Sequence, residues 1–285
     1  MGWFESILLG IVEGLTEFLP VSSTGHLTVT EKLLGMDIAA ADVTAFTAII
    51  QVGAIAAAIL YFRKDIVRLA VGWVKGVFSP AARGTDYRLG WAVIVGSIPI
   101  AVVGFALQSI IETTLRSLWV VAGALIAWSV VLWVADRHAA RVSVGSRAQL
   151  RDESSITVID ALVIGATQCL ALVPGVSRSG ATISAALLRG IDRTTATRWS
   201  FFLGIPALTA AGLYEAAKSY KHIADGVGWA PTAVALVVSF AVAYAAIAWL
   251  LKFVATNRFT IFIVYRLVAG AAIAALLLFG VIQAV

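Results

Sequence analysis

The chain has 285 residues, 60% of them hydrophobic and only 13% charged, with a mean hydropathy of +0.95 and a formal net charge of +5. A soluble domain carries roughly a quarter charged residues, so the composition excludes a water-soluble enzyme and indicates an integral membrane protein. The basic balance does not signal nucleic acid, because the lysines and arginines gather between apolar runs, as membrane topology requires.

Taken from the N-terminus, the chain is not expected to start with a cleavable leader. Its first basic residue is Lys32, and Glu5, Glu13 and Glu17 fall where a leader's apolar core would lie. Residues 3–34 read as an apolar helix, a break and a short second helix. Within them lies GIVEGLTEFLPVSSTGHL, Gly10 to Leu27. Glu13 and Glu17 stand four apart and share a helix face. Pro20 then ends the helix, and Ser22, Ser23, Thr24, Gly25 and His26 bring hydroxyls, free N–H groups and an imidazole into one neighbourhood.

Three apolar runs follow, near 43–62, 91–111 and 118–135. A polar, basic connector, 136–155, leads to a second interrupted segment, 156–190, and three more runs near 199–216, 230–251 and 262–284. A bilayer takes about 17–25 residues to cross, so these six read as transmembrane helices, with 118–135 and 199–216 borrowing flanking residues. Broken helices at membrane depth are tolerated only inside protein or beside a water-filled cavity. Segments 3–34 and 156–190 therefore read as re-entrant hairpins.

The two interrupted segments are related. An offset of 155 lays Gly10, Leu15, Val21, Ser22 and Gly25 on Gly165, Leu170, Val176, Ser177 and Gly180, with Glu13 facing Gln168. Each carries a proline, Pro20 or Pro174, before its serines. The expected fold is an all-α polytopic membrane protein forming one domain, 1–285. Its six transmembrane helices and two re-entrant helical hairpins make repeats 1–135 and 156–285. Three crossings is an odd number, so the second repeat starts from the opposite face and the topology is inverted. Fifteen basic residues from Arg63 to Arg258 fall on one side, against Lys32, Arg116, Lys218 and Lys221 on the other. The first side is therefore cytoplasmic, and the mouth of the first hairpin faces outward.

The chemistry gathers at the two breaks. In the second, Gly175 and Gly180 bracket Ser177, Arg178 and Ser179, with Thr182 beyond. Glycines permit close backbone approach, a helix N-terminus offers donors, and arginine grips phosphate with two parallel bonds. In the first, His26 suits acid–base or nucleophilic work, and the Glu13–Glu17 pair suits a hard divalent cation, Mg2+ or Ca2+, held through oxygen. Together these residue types point to phosphoryl transfer. Each hydroxyl also has a plainer reading as a helix cap, and Arg178 as an ion-pair partner of Glu13 or Glu17.

EGLTEFLPVSSTGH and PGVSRSGAT resemble the two signature motifs of the undecaprenyl-diphosphatase family, the bacterial bacitracin-resistance phosphatases. A third stretch, Arg198 to Pro206, RWSFFLGIP, is also family-like, and the likeness covers essentially the whole chain. The resemblance implies a multi-pass enzyme of the bacterial inner membrane whose site opens to the periplasm. Such an enzyme hydrolyses undecaprenyl diphosphate to undecaprenyl phosphate and inorganic phosphate, recycling the lipid carrier of cell-wall synthesis and conferring bacitracin resistance. It further implies that Glu13 and Glu17 serve the metal or the acid–base step, that Ser22, Ser23, Thr24 and His26 line the reaction centre, and that Ser177, Arg178, Ser179 and Thr182 hold the diphosphate. The nucleophile stays open between His26, Ser23 and water. The expected partners are a polyprenyl diphosphate and membrane lipids, with no nucleic acid; a homo-oligomer is compatible with the sequence. The competing reading is a polyprenyl-phosphate transporter or flippase, since inverted repeats with broken helices are also transporter architecture. A carrier needs an anion cradle, but has no use for a histidine and a carboxylate pair beside it. The other membrane lipid-phosphatase pattern, SRxxxxxHxxxD, is absent after Arg178.

Overall fold

In a bilayer a long apolar run can satisfy its backbone within itself only as a helix. The computed structural model, which describes residues 1–38, 40–107, 117–145 and 150–284, accordingly holds helices and no strand among those residues. Helices α1 (Trp3–Thr16) and α2 (Ser23–Leu33) flank the first break. They are followed by α3 (Ala41–Tyr61), α4 (Arg63–Phe78), α5 (Thr85–Ala106) and α6 (Leu118–Gly145). The second break lies between α7 (Val158–Gln168) and α8 (Arg178–Leu188), followed by α9 (Arg193–Asp225), α10 (Trp229–Val254) and α11 (Thr260–Leu278).

Six helices are long and apolar enough to cross a membrane: Ala41–Tyr61, Thr85–Ala106, Leu118–Val142, Arg193–Lys218, Trp229–Val254 and Thr260–Leu278. Each coincides with one of the six expected spans. The two short runs do gain flanking residues. The polar interval 63–90, expected as a loop, instead contains α4, which is amphipathic. Its Leu69 is buried, while Arg68 pairs with Asp65, with Asp86 at 2.9 Å and with Glu153. Arg198 of α9 reaches Asp65 at 3.0 Å and Glu153 at 3.5 Å, tying α4 to the start of the second half. The connector 136–155 is helical as far as Gly145. Residues 108–111 of one expected span, 146–149 of the connector, Arg116 and Arg147 lie outside the described residues.

Small residues let the interrupted helices approach their neighbours. α1 packs on α10 and α7 packs on α5. A Cβ on Gly10 would lie 2.6 Å from the Ala235 carbonyl oxygen, and one on Gly165 only 1.9 Å from that of Gly96. Gly10 and Gly165 occupy equivalent positions under the 155-residue offset. Close backbone contact of this kind is how helices associate where lipid offers no hydrophobic drive.

The second interrupted segment is anchored at both ends by one carboxylate. Asp160, fully buried at the start of α7, forms a capping box with Thr157 and accepts from Arg151 at 3.0 Å and from Arg189, just past α8, at 2.8 Å.

Gly165→Ala should force α5 and α7 apart, an overpacking that typically costs roughly 1–3 kcal/mol. The expected outcome is a lowered melting temperature in detergent. Gly123→Ala, whose Cβ would meet nothing within 4 Å, should melt with the parent.

Candidate active site

Each break turns on a serine with a left-handed backbone. Ser22 has φ 76° and Ser177 φ 75°, and they are the two non-glycine residues with positive φ among those described. Such a conformation costs on the order of 1–3 kcal/mol and persists only where its surroundings hold it. Here the surroundings are the other break. Ser22 does not cap α2; its Oγ accepts from the Gly175 N–H at 3.1 Å. Ser179 Oγ donates to the Leu19 carbonyl at 2.9 Å. Ser177 does cap its helix, accepting from the Gly180 N–H at 3.2 Å.

Arg266 of α11 completes the junction. Fully buried, its Nη1 donates to the Pro20 carbonyl at 3.0 Å and its Nη2 to the Gly175 carbonyl at 2.9 Å, with Nε on Ser129 Oγ at 3.3 Å. One guanidinium thus satisfies a carbonyl freed in each break. The sequence reading passed over Arg266, although an arginine inside an apolar span is itself a signal.

Beneath the junction lies a cavity of about 190 Å³ lined by Glu17, Ser22, Ser23, Thr24, Ser177 and Arg178, with Gln51 and Gln168 beside them. Glu17 is its centre. Oε2 accepts from Ser23 Oγ at 2.6 Å and from Gln51 Nε2 at 3.4 Å, and Oε1 pairs with Arg178 Nη2 at 3.4 Å. Arg178 Nη1 donates to the Ser200 carbonyl at 3.1 Å, its guanidinium carbon stands 5.8 Å from the centre of the Phe18 ring, and its Nε is buried without a partner. Gly204 leaves room for this group, since a Cβ there would sit 2.0 Å from Nη1. Ser200 and Gly204 give the family-like stretch Arg198 to Pro206 its physical role.

Four expected residues stand off the cavity lining. Glu13, one turn below Glu17, is fully buried with neither carboxylate oxygen bonded. Ser179 and Thr182 lie behind the cavity; Thr182 Oγ1 pairs with Ser200 Oγ at 2.7 Å, which leaves these hydroxyls holding protein. His26 points away, its Nδ1 2.7 Å from the Ser22 carbonyl and its Nε2 2.6 Å from the Tyr265 hydroxyl. A carbonyl can only accept, so in the neutral ring Nδ1 carries the proton and Nε2 accepts from Tyr265. The two rings also stack, with centroids 5.5 Å apart. Both ring nitrogens are engaged, so His26 buttresses the first break in this arrangement.

A second cavity of about 240 Å³ opens from the first, sharing Ser23, Thr24, Gln51 and Pro174, and is lined further by Glu31 and Thr47. Glu31 is buried and accepts from Thr47 Oγ1 at 2.8 Å. The sequence reading missed both, because neither stands in a break. Glu17 is the carboxylate that lines the first cavity, and Glu13 lies one turn from it on the same helix. No group of three or more His, Cys, Asp or Glu placed to hold a metal occurs among the described residues.

The family model described as bacitracin resistance protein BacA matches residues 6–272. The chain is 59% identical over 285 residues to undecaprenyl-diphosphatase 3 of Frankia casuarinae, covering 100% of both chains. It is 58% identical over 292 residues to the undecaprenyl-diphosphatase of Cutibacterium acnes, again over 100% of both. It is 44% identical over 286 residues to that of Corynebacterium diphtheriae, covering 100% of this chain and 97% of the relative. With its motifs converging on one cavity and its whole length matched, the chain belongs to the bacitracin resistance protein BacA family.

Proposed function

We propose that this chain hydrolyses undecaprenyl diphosphate to undecaprenyl phosphate and inorganic phosphate, with Ser23 as the nucleophile. The observation that carries this is Glu17, whose one oxygen accepts from Ser23 at 2.6 Å while the other pairs with Arg178, all three facing one cavity. A nucleophile within hydrogen-bond reach of its base, beside an arginine, is the arrangement phosphoryl transfer needs.

The steps follow from these contacts. Arg178 has an open donor at Nε and a weak partner at Nη2, so the terminal phosphate takes that edge in two-pronged fashion and displaces Glu17. Released from the arginine, Glu17 keeps its contact with Ser23 Oγ. It accepts the Ser23 proton as Oγ bonds to the terminal phosphorus and the bond from that phosphorus to the bridging oxygen breaks. Glu17 passes that proton to the bridging oxygen, which leaves on the lipid monophosphate. Water then attacks the phosphoserine. Glu17 takes its proton and returns one to Ser23 Oγ as the phosphorus–Oγ bond breaks, releasing inorganic phosphate. Ser22 and Ser177 hold the backbone around the phosphate, and Gln168, whose amide has no partner, is free to donate to it.

The residues also fit a divalent cation, Mg2+ or Ca2+. Glu13 is a buried carboxylate with no partner, and such ions complete one or two carboxylates with phosphate and water oxygens. Glu13 and Glu17 would hold it, and when bound it would neutralise charge on the diphosphate.

We further read segments 3–34 and 156–190 as re-entrant hairpins of inverted repeats 1–135 and 156–285. The matched left-handed serines and the matched glycine crossings support this. The distribution of basic residues supports a site open to the periplasmic face of the inner membrane.

Rapid acid quench during turnover should trap a phosphoserine that mass spectrometry maps to Ser23. Ser23→Ala and Glu17→Gln should each lower kcat by about 100-fold or more. Turnover with no phosphoenzyme at all would transfer the attack to water. Gly204→Ala tests Arg178 without replacing it, since the added Cβ would press on its guanidinium. Alanine favours a helix over glycine by about 1 kcal/mol, so the variant should stay folded while kcat falls at least about tenfold. Unchanged turnover would remove Arg178 from the phosphate site. A membrane-impermeant diphosphate analogue should inhibit in right-side-out vesicles; inhibition confined to inverted ones would reverse the orientation.

A further inference from the structure

The cavities are linked through shared or neighbouring lining residues and run from polar to apolar. Glu31 and the threonines line the first, and the reaction cavity is mixed. Its apolar wall is made by Ile100 of α5 with Leu208 and Ala211 of α9. A third cavity, of about 250 Å³, is wholly apolar and lies along the same two helices. Val93 and Ile94 of α5 face Ile205 and Pro206 of α9 across it, and α4 covers it with Leu69 and Trp73.

The two cavities on this seam adjoin. On α9 the lining passes from Pro206 in the apolar cavity directly to Ala207 in the reaction cavity. On α5 it passes from Ile94 to Ile100, about 9 Å at the helical rise. Both helices carry an interior proline at this level, Pro99 and Pro206, each removing a backbone bond. Ile94, Pro206 and Ala211 are exposed, so the seam opens sideways towards lipid.

Resting on the reading of the site given above, we propose that the substrate's own prenyl chain leaves the reaction cavity between α5 and α9. Its later isoprene units then lie in the apolar cavity beneath α4, where chain length is read. The order of polarity matches an amphiphile laid along it. The diphosphate sits at Arg178 with the Glu31 cavity as its aqueous side, and hydrocarbon extends the other way. A wholly apolar cavity that adjoins the phosphate site suits the hydrocarbon attached to that phosphate, which cannot avoid leaving the site through an apolar wall.

The test fills the apolar cavity from its exposed rim, leaving the catalytic residues untouched. Ala70→Trp on α4 and Ile94→Trp on α5 are compared with the parent on undecaprenyl diphosphate and on geranyl diphosphate, whose tail is too short to pass Ile94. Both variants should raise KM for the long substrate about tenfold and leave geranyl diphosphate hydrolysis unchanged. Unchanged kinetics on the long substrate, or equal losses on both, would overturn the proposal. If the parent hydrolyses neither substrate, the phosphatase reading itself fails, and the tail site falls with it.

Discussion

A break in a helix buried among other helices leaves carbonyls and amides that only protein can satisfy, and this chain has two such breaks. Arg266 is the answer to both. Its guanidinium bonds the Pro20 and Gly175 carbonyls at once, from a fully buried position. A cation so placed would be costly without such partners, and the carbonyls would be costly without the cation. The two needs cancel, and the result fixes where one break stands relative to the other. Ser22 Oγ on the Gly175 amide and Ser179 Oγ on the Leu19 carbonyl tighten the same junction.

From that junction the reaction cavity follows. Two serines held in the left-handed region redirect the chain so that α2 and α8 start beside one another, each presenting its first residues to the same space. Ser23 and Arg178 are those first residues. They meet across Glu17, which comes from the end of α1. No one helix carries the site, so its geometry depends on how the halves pack. The glycine crossings of α1 on α10 and α7 on α5 are therefore as much a part of the site as the polar groups.

The division of labour among hydroxyls and acids is unequal. Ser179 and Thr182 bond to the Leu19 carbonyl and to Ser200, and His26 is held between Ser22 and Tyr265. These groups hold the breaks in shape. Ser23, Thr24 and Glu17 face the cavity, and Arg178 is held at its edge by Ser200 over the Phe18 ring, with Gly204 leaving the space. In the proposed mechanism the one weak contact in this set, Arg178 to Glu17, is the one that the substrate replaces.

The membrane class, the six spans, the two breaks and the cluster of reactive residue types could all be read in the sequence, because each depends on local pattern. Hydropathy over about 20 residues marks a span, and proline and glycine mark a break, wherever the rest of the chain lies. The helix α4 was missed because Arg63, Lys64, Asp65, Arg68 and Lys75 interrupt its apolar residues, and it takes its meaning from packing on α5. Arg266 and Tyr265 were missed for a different reason. They stand far along the chain from the groups they serve, and nothing in their neighbours in sequence says that Pro20 or His26 is nearby. For the same reason the sequence placed His26 with Ser23, and Ser179 and Thr182 with Arg178, from their places in the two motifs. Which hydroxyls face the cavity and which hold the backbone depends on the left-handed turn at Ser22 and Ser177. That turn survives only because each break is bonded to the other, a long-range condition that only the tertiary structure could decide.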